Sequence, residues 1–269
     1  MKIFISTTSF AKFSNKSIEL LKNNGISFKL NKKGRKLNEK EIKVSLKNCD
    51  GVIAGTEKYS KDVIDSLPNL KIISRVGIGV DNIDLEAVTK KKISIFKSQT
   101  SPSRSVAELA LGLLIDCSRQ ITYQDSCLKK KKWNKRVGNI ISGKKLGVIG
   151  LGNIGKEFVK LTKGFDLDYY AYDKKKDQNF SKKHNVKYIS LKKLFKVCDI
   201  VSIHLSHSKN NNNIIDRKYF SIAKKNLILI NTSRGEVINE IDLIHALNKD
   251  QLSAIGLDVY NNEPYSGGL

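Results

Sequence analysis

Short apolar runs rich in Val and Ile alternate with amphipathic stretches through the first hundred residues of the chain. Such runs are typical of strands, and apolar residues spaced three and four apart are typical of helices. The pattern predicts helices near residues 15–23, 38–47, 60–67 and 84–91. It predicts strands at residues 2–6, 26–30, 51–54, 71–74 and 93–96. This alternation predicts a parallel sheet covered by helices, and therefore a flavodoxin-like first domain.

A long apolar segment follows Pro102, and a second alternating series follows that segment. The stretch SRSVAELALGLLIDCSRQ has helical spacing and many good helix formers, so we predict a long helix of the kind that often supports a homodimer. A strand beginning at Lys145 opens the second series. Further strands are predicted at residues 168–172, 199–203, 227–231 and 252–259. The fold class is therefore α/β with two doubly wound parallel sheets, and we place the domains at residues 1–98 and 99–269.

The charge is strongly basic, with 49 Lys and Arg against 26 Asp and Glu and a formal net charge of +23. Nucleic-acid binding is one interpretation, but the lysines are spread along the chain and no aromatic-interleaved basic motif accompanies them. A solvated basic surface that steers anionic ligands is favoured. The sequence has no apolar run of membrane-spanning length, and its four scattered cysteines show no metal-site spacing. We expect a cytoplasmic protein without a nucleic-acid, membrane or metal partner.

A glycine motif opens the second domain. In KKLGVIGLGNIGKEF, Gly150, Gly152 and Gly155 follow an apolar strand and precede a helix. This G-x-G-x-x-G context is typical of dinucleotide binding: the first glycine permits a tight turn, the second lets a diphosphate approach, and the third permits close helix packing. The helix amino terminus would supply N–H groups to the diphosphate.

An acidic residue completes the dinucleotide-binding pattern. Asp173 ends the next predicted strand, about twenty residues further on, where a carboxylate can accept hydrogen bonds from a ribose. Because this acid would repel a 2′-phosphate, NAD is favoured over NADP. Lys174, Lys175 and Lys176 follow directly and leave recruitment of such a phosphate open as an alternative.

Six motifs spread over nearly the whole chain resemble the D-isomer-specific 2-hydroxyacid dehydrogenases, most of all the phosphoglycerate-dehydrogenase-like branch. They are RVGIGVDNID, SVAELALGLL, GKKLGVIGLGNIG, CDIVSIHL, LINTSRGEVIN and GLDVYNNEP. The resemblance implies that the backbone of Val76, Gly77, Ile78 and Gly79 binds the substrate carboxylate together with Arg234. It implies that NAD is bound by Ile78, Gly150, Gly152, Asn153, Ile154, Gly155, Asp173, Leu205, Thr232, Ser233, Arg234 and Asp258.

Two of these residues are implied to be catalytic. Arg234 resembles the family's substrate-binding arginine, and a guanidinium can bind a carboxylate with two hydrogen bonds while it polarises the neighbouring carbonyl. Glu263 resembles the carboxylate partner of the family's catalytic histidine, whose pKa such a carboxylate raises by stabilising the charged imidazole.

The acid/base histidine itself is expected beyond the Glu263–Pro264 turn, and the sequence ends at Leu269 before such a residue. Oxidation of an alcohol to a ketone removes a hydride and a proton, so the chemistry needs a general base. His184, His204 and His245 do not match that position. His207, in the loop after a predicted strand, is the one alternative base we name.

Our first functional hypothesis is an NAD-dependent oxidoreductase that interconverts a D-2-hydroxy acid and its 2-oxo acid, represented by a carboxy-terminally truncated chain whose own activity is in doubt. A non-catalytic NAD-binding or interaction protein, similar to the C-terminal-binding corepressors, is the second hypothesis. A charge-driven nucleic-acid-binding protein is the third. The loop AGTEK at residues 54–58 lacks an arginine that would bind a phosphate, so the sequence does not identify the 2-hydroxy acid.

Overall fold

The computed structural model describes residues 1–99, 101–206, 208–263 and 265–269, with the side chain of Lys209 left aside. The described chain divides into two compact units, Met1–Ser101 and Pro102–Leu269. The predicted boundary, after residue 98, lies three residues before this division. No helix within the described residues is both long enough and apolar enough to cross a membrane.

The first unit is a five-stranded parallel sheet with the order β2-β1-β3-β4-β5. The strands are β1 (Lys2–Ile5), β2 (Ser27–Leu30), β3 (Gly51–Ala54), β4 (Ile72–Arg75) and β5 (Ser94–Lys97). The helices are α1 (Lys16–Asn23), α2 (Glu39–Leu46), α3 (Lys61–Asp65) and α4 (Leu85–Lys90). This strand order is that of flavodoxin-like folds, so the prediction for this part of the chain is confirmed.

Side-chain caps fix where three helices of the first unit begin. Asn38 accepts a hydrogen bond from the Glu41 N–H and forms a capping box at the start of α2. Ser60 and Asp84 cap α3 and α4 by accepting hydrogen bonds from the N–H groups of Val63 and Ala87. Each cap satisfies an N–H group that the helix cannot bond internally. These helices turn Ile42, Leu46, Val63, Ile64, Ala87 and Val88 into the core against the sheet.

The second unit is a six-stranded parallel sheet with the order β11-β10-β9-β6-β7-β8. Its strands are β6 (Lys145–Ile149), β7 (Asp168–Tyr172), β8 (Val186–Tyr188), β9 (Ile200–Ile203), β10 (Leu227–Asn231) and β11 (Leu252–Leu257). Its α-helices are α5 (Ser103–Arg119), α6 (Ile121–Lys129), α7 (Asn153–Leu161), α8 (Gln178–His184), α9 (Leu191–Val197), α10 (Arg217–Phe220) and α11 (Glu240–Asn248). Short 3-10 turns lie at Lys163–Phe165, Lys209–Asn211 and Gly235–Val237.

The strand order of the second unit is that of a dinucleotide-binding Rossmann fold, as predicted. The first strand of the series, β6, has the second strand β7 on one side and the fourth strand β9 on the other. Strands β7 and β8 therefore extend the sheet on one side of β6, and strands β9 to β11 extend it on the other. This reversal of strand order opens a crevice at the carboxyl ends of the strands. Ligands of doubly wound sheets bind in such crevices, and the glycine motif follows β6 directly.

The central strands of this sheet are apolar on both faces. All residues of β9 and β10 are buried, including Ser202 and Asn231, because helices cover both sides of a parallel sheet. One cluster packs α5 and α7 against one face, and a second packs α9, α10 and α11 against the other.

Several predicted bounds differ from the structure by one or two residues. The strand predicted at residues 71–74 is Ile72–Arg75, and that predicted at 93–96 is Ser94–Lys97, because the register pairs these two strands from Ile72 with Ser94 to Arg75 with Lys97. The long predicted helix ends at Arg119, where Gln120 takes the left-handed conformation and separates α5 from α6. The last strand ends at Leu257, two residues before the predicted end at 259.

Candidate active site

Three glycines shape the turn after β6. Gly150 has a φ of +93°, and a Cβ there would lie 2.8 Å from the carbonyl oxygen of His204. A Cβ on Gly155 would lie 2.3 Å from the Gly150 oxygen. A Cβ on Gly152, in contrast, would meet no atom within 4 Å. The fold itself therefore requires Gly150 and Gly155, whereas the space in front of Gly152 is open to a ligand.

Helix α7 begins directly after this turn, and no side chain caps its amino terminus. In contrast, Ser190 caps α9 by accepting a hydrogen bond from the Lys193 N–H. The first N–H groups of α7 thus lack a side-chain acceptor, and the helix dipole adds partial positive charge. Asn153 is exposed and Ile154 is half-buried in this first turn. The end of the helix suits the diphosphate of a dinucleotide.

Asp173 lies beside the glycine turn, at the end of β7. Its Oδ2 accepts a hydrogen bond from the Leu151 N–H at 2.7 Å, and its Oδ1 accepts one from the Lys175 N–H at 2.9 Å. Each carboxylate oxygen keeps a second lone pair that a ribose hydroxyl can use. The carboxylate is therefore held in place by the turn that would bind the diphosphate. The side chains of Lys174, Lys175 and Lys176 are exposed.

Backbone hydrogen bonds extend the ladder past the ends of the strands in the second unit. They run from Gly150 N to Tyr172 O (2.8 Å), from His204 N to Ile149 O (2.8 Å) and from Asp258 N to Asn231 O (3.1 Å). Because all six strands are parallel, their carboxyl ends lie at one edge of the sheet. Most of the residues predicted to bind NAD follow these strands directly at this edge. They are the glycine motif, Asp173, Leu205, Thr232–Arg234 and Asp258.

The turn after β10 is held by a residue that the sequence analysis did not name. The side chain of Asn231 is buried, and its Oδ1 accepts hydrogen bonds from the N–H and the Oγ of Ser233, at 3.0 and 2.8 Å. Its Nδ2 donates to the Arg234 carbonyl at 3.0 Å. The Oγ1 of Thr232 is buried and has no hydrogen-bond partner among the described residues. A buried hydroxyl without a protein partner can bind a ligand group or a water molecule.

Gly235 joins this turn to the segment after β11. A Cβ on Gly235 would lie 2.1 Å from the carbonyl carbon of Tyr260 and 2.5 Å from the Asn261 nitrogen. Only a glycine allows the two backbones to approach so closely. The half-buried Arg234, whose Nη1 donates to the Ser233 carbonyl at 2.7 Å, is therefore fixed next to the segment that carries Asp258 and Glu263.

The two acids of that segment influence each other. The Asp258 carboxyl is partly desolvated by the protein around it, which raises its pKa, and the negative charge of Glu263 raises that pKa further. Glu263 is exposed, and its Oε1 accepts a hydrogen bond from the Tyr260 N–H at 3.3 Å. An exposed carboxylate held by one backbone bond is available to an additional partner such as an imidazole.

The described histidines do not supply a general base to this edge. His204 is buried beneath the glycine turn, its Nε2 lies 2.9 Å from the Ser202 Oγ, and burial lowers its pKa to about 3. It is therefore neutral at physiological pH and packs against Phe158. His184 stacks on Phe180 at a ring distance of 4.2 Å. His207, the alternative base, and Pro264 lie outside the described residues.

The predicted substrate loop, Val76 to Gly79, follows β4 at the carboxyl edge of the first sheet. The Val76 N–H donates to the Ala54 carbonyl at 2.9 Å, and the Gly77 N–H donates to the Ser98 Oγ at 3.1 Å. Among the described residues, the N–H groups of Ile78 and Gly79 have no acceptor. The N–H groups of Ile78 and Gly79 are therefore the ones in this loop that a substrate carboxylate could use, and the role of the loop stays a prediction. Ile78 belongs to the first unit, whereas the other residues predicted to bind NAD belong to the second.

Comparison with known proteins identifies the family. The family model "D-isomer specific 2-hydroxyacid dehydrogenase, NAD binding domain" matches residues 111–268, which is more than half of the chain. The chain belongs to the D-isomer specific 2-hydroxyacid dehydrogenase family. The predicted family and its NAD cofactor are thereby confirmed, and the open crevice with the glycine turn, Asp173 and the unpaired Thr232 hydroxyl fits that cofactor.

Several characterised 2-hydroxyacid dehydrogenases are similar to this chain. The hydroxypyruvate reductase of Thermotoga maritima is 38% identical over 79% of this chain and 69% of its own length. The D-3-phosphoglycerate dehydrogenase of Methanocaldococcus jannaschii is 36% identical over 85% of this chain, but only 44% of its own length. The chain thus spans less than half of that relative.

A solved structure of the family has the same fold. The D-lactate dehydrogenase of Aquifex aeolicus, in complex with NAD and lactic acid, is 25% identical to this chain. It superimposes with a TM-score of 0.84 over 98% of this chain and 78% of its own. The relatives differ in the acid they are named for, so family membership does not select a substrate.

Proposed function

We propose that the protein is an NAD-dependent oxidoreductase that transfers a hydride between NAD and a D-2-hydroxy acid or its 2-oxo acid. One observation carries this proposal. The open glycine turn, Asp173, the Thr232–Arg234 turn and the Asp258–Glu263 segment follow strands β6, β7, β10 and β11, at one edge of one sheet. Residues from four separate parts of the sequence meet where doubly wound folds bind ligands.

Each residue has a defined task in the proposed reaction. NAD, when bound, would accept or supply the hydride. The Arg234 guanidinium would bind the substrate carboxylate and polarise the carbonyl at carbon 2. The backbone of the Val76–Gly79 loop is also proposed to bind substrate. The hydroxyl proton would pass to a general base, which in the family is a histidine beside a carboxylate such as Glu263.

The test uses the purified protein and a panel of 2-hydroxy and 2-oxo acids with NAD and NADH. We expect Arg234→Gln to lower kcat/KM by about 100-fold or more, because the bidentate contact is lost in the transition state. NADH affinity, measured separately by fluorescence, tells loss of substrate binding from loss of cofactor binding. Arg217→Gln is the matched control, since Arg217 is exposed at the start of α10. NADH binding without turnover of any acid would instead support a non-catalytic NAD-binding protein.

The phosphoglycerate-dehydrogenase-like branch is a narrower proposal. It is supported by the wording of the sequence motifs and by the 36% identity to a D-3-phosphoglycerate dehydrogenase. A hydroxypyruvate reductase is similarly close at 38%. The two substrates implied by those names differ at carbon 3, which carries a phosphate in one and a hydroxyl in the other. A comparison of phosphorylated and unphosphorylated acids therefore decides between the branches.

A homodimer is also proposed, with a second copy covering the surface of α6 and the segment after it. This surface exposes several large apolar side chains: Ile121 (53% exposed), Leu128 (56%), Trp133 (83%), Val137 (94%) and Ile140 (73%). Five exposed large apolar side chains within residues 121–140 favour an interface here. Light scattering should give twice the chain mass, and Trp133→Ser should shift the protein towards monomer. A wild-type protein that is monomeric at micromolar concentration would contradict the dimer.

We also propose that the protein is located in the cytoplasm.

A further inference from the structure

A cleft lies between helix α6 and the segment that follows it, within the second unit; we call it the α6 cleft. Its volume is about 320 Å³. It is lined by Tyr123, Ser126, Cys127, Lys130, Lys132 and Asn134. Sites for small molecules have volumes of roughly 300–1,000 Å³, so the α6 cleft is large enough to be one. None of its lining residues belongs to the proposed dehydrogenase site.

The protein itself holds both walls of the α6 cleft in place. The helix supplies Tyr123, Ser126 and Cys127. These residues are spaced three and four apart and therefore lie on one face of the helix. The chain then turns back, and the Lys132 N–H donates to the Cys127 carbonyl at 2.8 Å. Further along, the Asn139 N–H donates to the Ser118 carbonyl at 2.8 Å. The segment is thus tied to the helices at both of its ends.

The Tyr123 hydroxyl joins the two walls. It accepts hydrogen bonds from the Asn134 Nδ2 at 2.8 Å and from the Arg136 Nη2 at 3.2 Å. The Arg136 guanidinium carbon also lies 4.9 Å from the centre of the Tyr123 ring. A phenol that accepts two hydrogen bonds still has its own hydrogen to donate. The Tyr123 hydroxyl can therefore donate to a ligand.

The α6 cleft is rich in positive charge and in hydrogen-bond donors. Lys130 and Lys132 are exposed, and neither forms a salt bridge with an acid among the described residues. The neighbouring acid, Asp125, pairs with Lys129 at 2.6 Å instead. The Ser126 hydroxyl likewise has no hydrogen-bond partner within the described chain. Because the described lining residues include two ammonium groups and no carboxylate, the cleft suits an anion.

A phosphate monoester fits this set of groups better than a carboxylate does. It carries about two negative charges and three acceptor oxygens, which match two lysines and additional hydroxyl donors. Since a water molecule occupies about 30 Å³, the cleft has room for roughly ten non-hydrogen atoms. A phosphate ester of a three-carbon alcohol is of this size, whereas a dinucleotide is much larger.

The α6 cleft and the proposed dimer surface use opposite faces of the same elements. Ile121 and Leu128 are two helical turns apart and share a face that lies about half a turn away from the lining residues. In the segment after the helix, Trp133 is 83% exposed and lies between Lys132 and Asn134, which line the cleft. A second copy of the chain on the apolar face therefore does not need the cleft.

We propose that the α6 cleft is a second ligand site, which binds a small phosphate monoester through Lys130, Lys132 and the Tyr123 hydroxyl. The site is distinct from the crevice at the carboxyl ends of the strands, where the dinucleotide is bound. It takes no part in hydride transfer, so the inference goes beyond the proposed function and does not depend on it.

Calorimetry on the full chain tests the inference. The dinucleotide site is saturated with NADH, so that phosphate does not bind at the amino terminus of α7. An ionic strength of about 0.15 M limits the reach of unspecific charge effects to roughly 8 Å. Glycerol 3-phosphate should bind with a dissociation constant of about 1 mM or lower. Glycerol, which lacks only the phosphate, should not bind.

Two double variants separate the α6 cleft from the general charge of the chain. Lys130→Gln/Lys132→Gln should weaken binding of glycerol 3-phosphate about tenfold or more, because two charge-assisted hydrogen bonds are lost. Lys131→Gln/Lys135→Gln is the matched control, since it removes the same charge from exposed positions that do not line the cleft. The control should stay within about twofold of wild type. Equal NADH affinity in all three proteins shows that the fold is intact.

Cys127 gives a second readout at the site itself. Its side chain is half-buried in the wall of the cleft, whereas Cys49 and Cys198 are buried. Glycerol 3-phosphate at saturation should slow alkylation of Cys127 by iodoacetamide, as measured by mass spectrometry of the derived peptides. Glycerol should leave the rate unchanged.

Four results would overturn the phosphate site. They are no binding of glycerol 3-phosphate to wild-type protein, equal binding of glycerol, equal losses in the two double variants, and unprotected Cys127. None of these results bears on the proposed reaction. A protein that binds glycerol 3-phosphate as expected but turns over no 2-hydroxy acid would support this inference and contradict the proposed function.

Discussion

Gly235 and Tyr260 are in backbone contact: a Cβ on Gly235 would lie 2.1 Å from the Tyr260 carbonyl carbon. The first residue follows the proposed substrate-binding Arg234, and the second lies between Asp258 and Glu263. The contact therefore fixes the distance between the guanidinium segment and the acidic segment. These segments are separate in the sequence, and the pairing of β10 with β11 together with this close approach sets their relative placement.

Gly235→Ala should destabilise the second unit and lower activity together. The added methyl group would displace the Tyr260 backbone, and overpacking of this kind costs about 1–3 kcal/mol. Chemical denaturation of both proteins measures the change in the free energy of unfolding. Gly164→Ala is the matched control, because a Cβ at Gly164 meets no atom within 4 Å. If Gly235→Ala were as stable as this control, the close contact would be wrong.

Gly152→Ala should have the opposite profile, with normal stability and impaired cofactor binding. A Cβ on Gly152 meets no protein atom within 4 Å, so the free energy of unfolding should stay within about 0.5 kcal/mol of wild type. The same Cβ would occupy the space through which a diphosphate approaches, and the NADH dissociation constant should rise about tenfold or more. Fluorescence titration measures it, with Gly112→Ala on α5 as the control. Unchanged NADH affinity would place the diphosphate elsewhere.

Asp173→Asn should weaken discrimination between NADH and NADPH. The carboxylate is fixed by the Leu151 and Lys175 N–H groups, and its charge repels a 2′-phosphate. The amide keeps one acceptor, so we expect NADH affinity to fall about tenfold and the NADH-to-NADPH preference to fall further. Asp168→Asn, at an exposed position at the start of β7, is the control. Equal discrimination in the variant and wild type would show that Asp173 does not face the ribose.

His204 should make the protein less stable in mild acid. Burial lowers its folded-state pKa from the ordinary value of 6.5 to about 3, so the folded state cannot take up a proton that the unfolded state binds. Its contribution to stability is complete above pH 6.5 and is lost as pH falls towards 3. Between pH 6.5 and 5 the free energy of unfolding should fall by roughly 1–2 kcal/mol from this group alone.

Comparing the pH dependence of wild type and His204→Asn isolates this effect. Denaturation at pH 6.5 and pH 5 should show a smaller decrease for the variant, whatever its absolute stability. His245→Gln, on helix α11, should keep the wild-type decrease. A variant that loses as much stability as wild type over this interval would show that His204 is accessible to protons.

Much of the fold could be predicted because it depends on local pattern. The strands at Gly51–Ala54, Asp168–Tyr172 and Leu227–Asn231 agree with the predicted bounds, since each is an uninterrupted run rich in β-branched and aromatic residues. Strand β8, Val186–Tyr188, was missed because it has three residues and only Val186 is buried. Helix α6 was missed because none of its residues is buried, so its sequence shows no marked apolar face.

The candidate site, like the fold, could be predicted from the sequence only in part. Gly150, Gly152, Gly155 and Asp173 could be found from the sequence because their spacing reflects one strand, one turn and one helix in succession. The roles proposed for Leu205, Thr232, Ser233, Arg234, Asp258 and Glu263 came from resemblance, and the structure adds that their segments follow strands at one sheet edge. The hydrogen bonds by which Asn231 holds the turn after β10 had only a weak signal in the sequence, which is a polar residue at the end of an otherwise apolar strand.

The sequence by itself determined most of the succession of elements and the glycine turn, because these follow from periodicity and from the short-range geometry of each turn. The wording of its motifs determined the family. Only the tertiary structure decided that Gly235 touches Tyr260, that Ser98 accepts the Gly77 N–H, and that the buried Asn231 holds the turn after β10. Such contacts join residues that are separate in the chain. They depend on how the strands are ordered and how tightly the loops at their ends pack, and no local pattern records either.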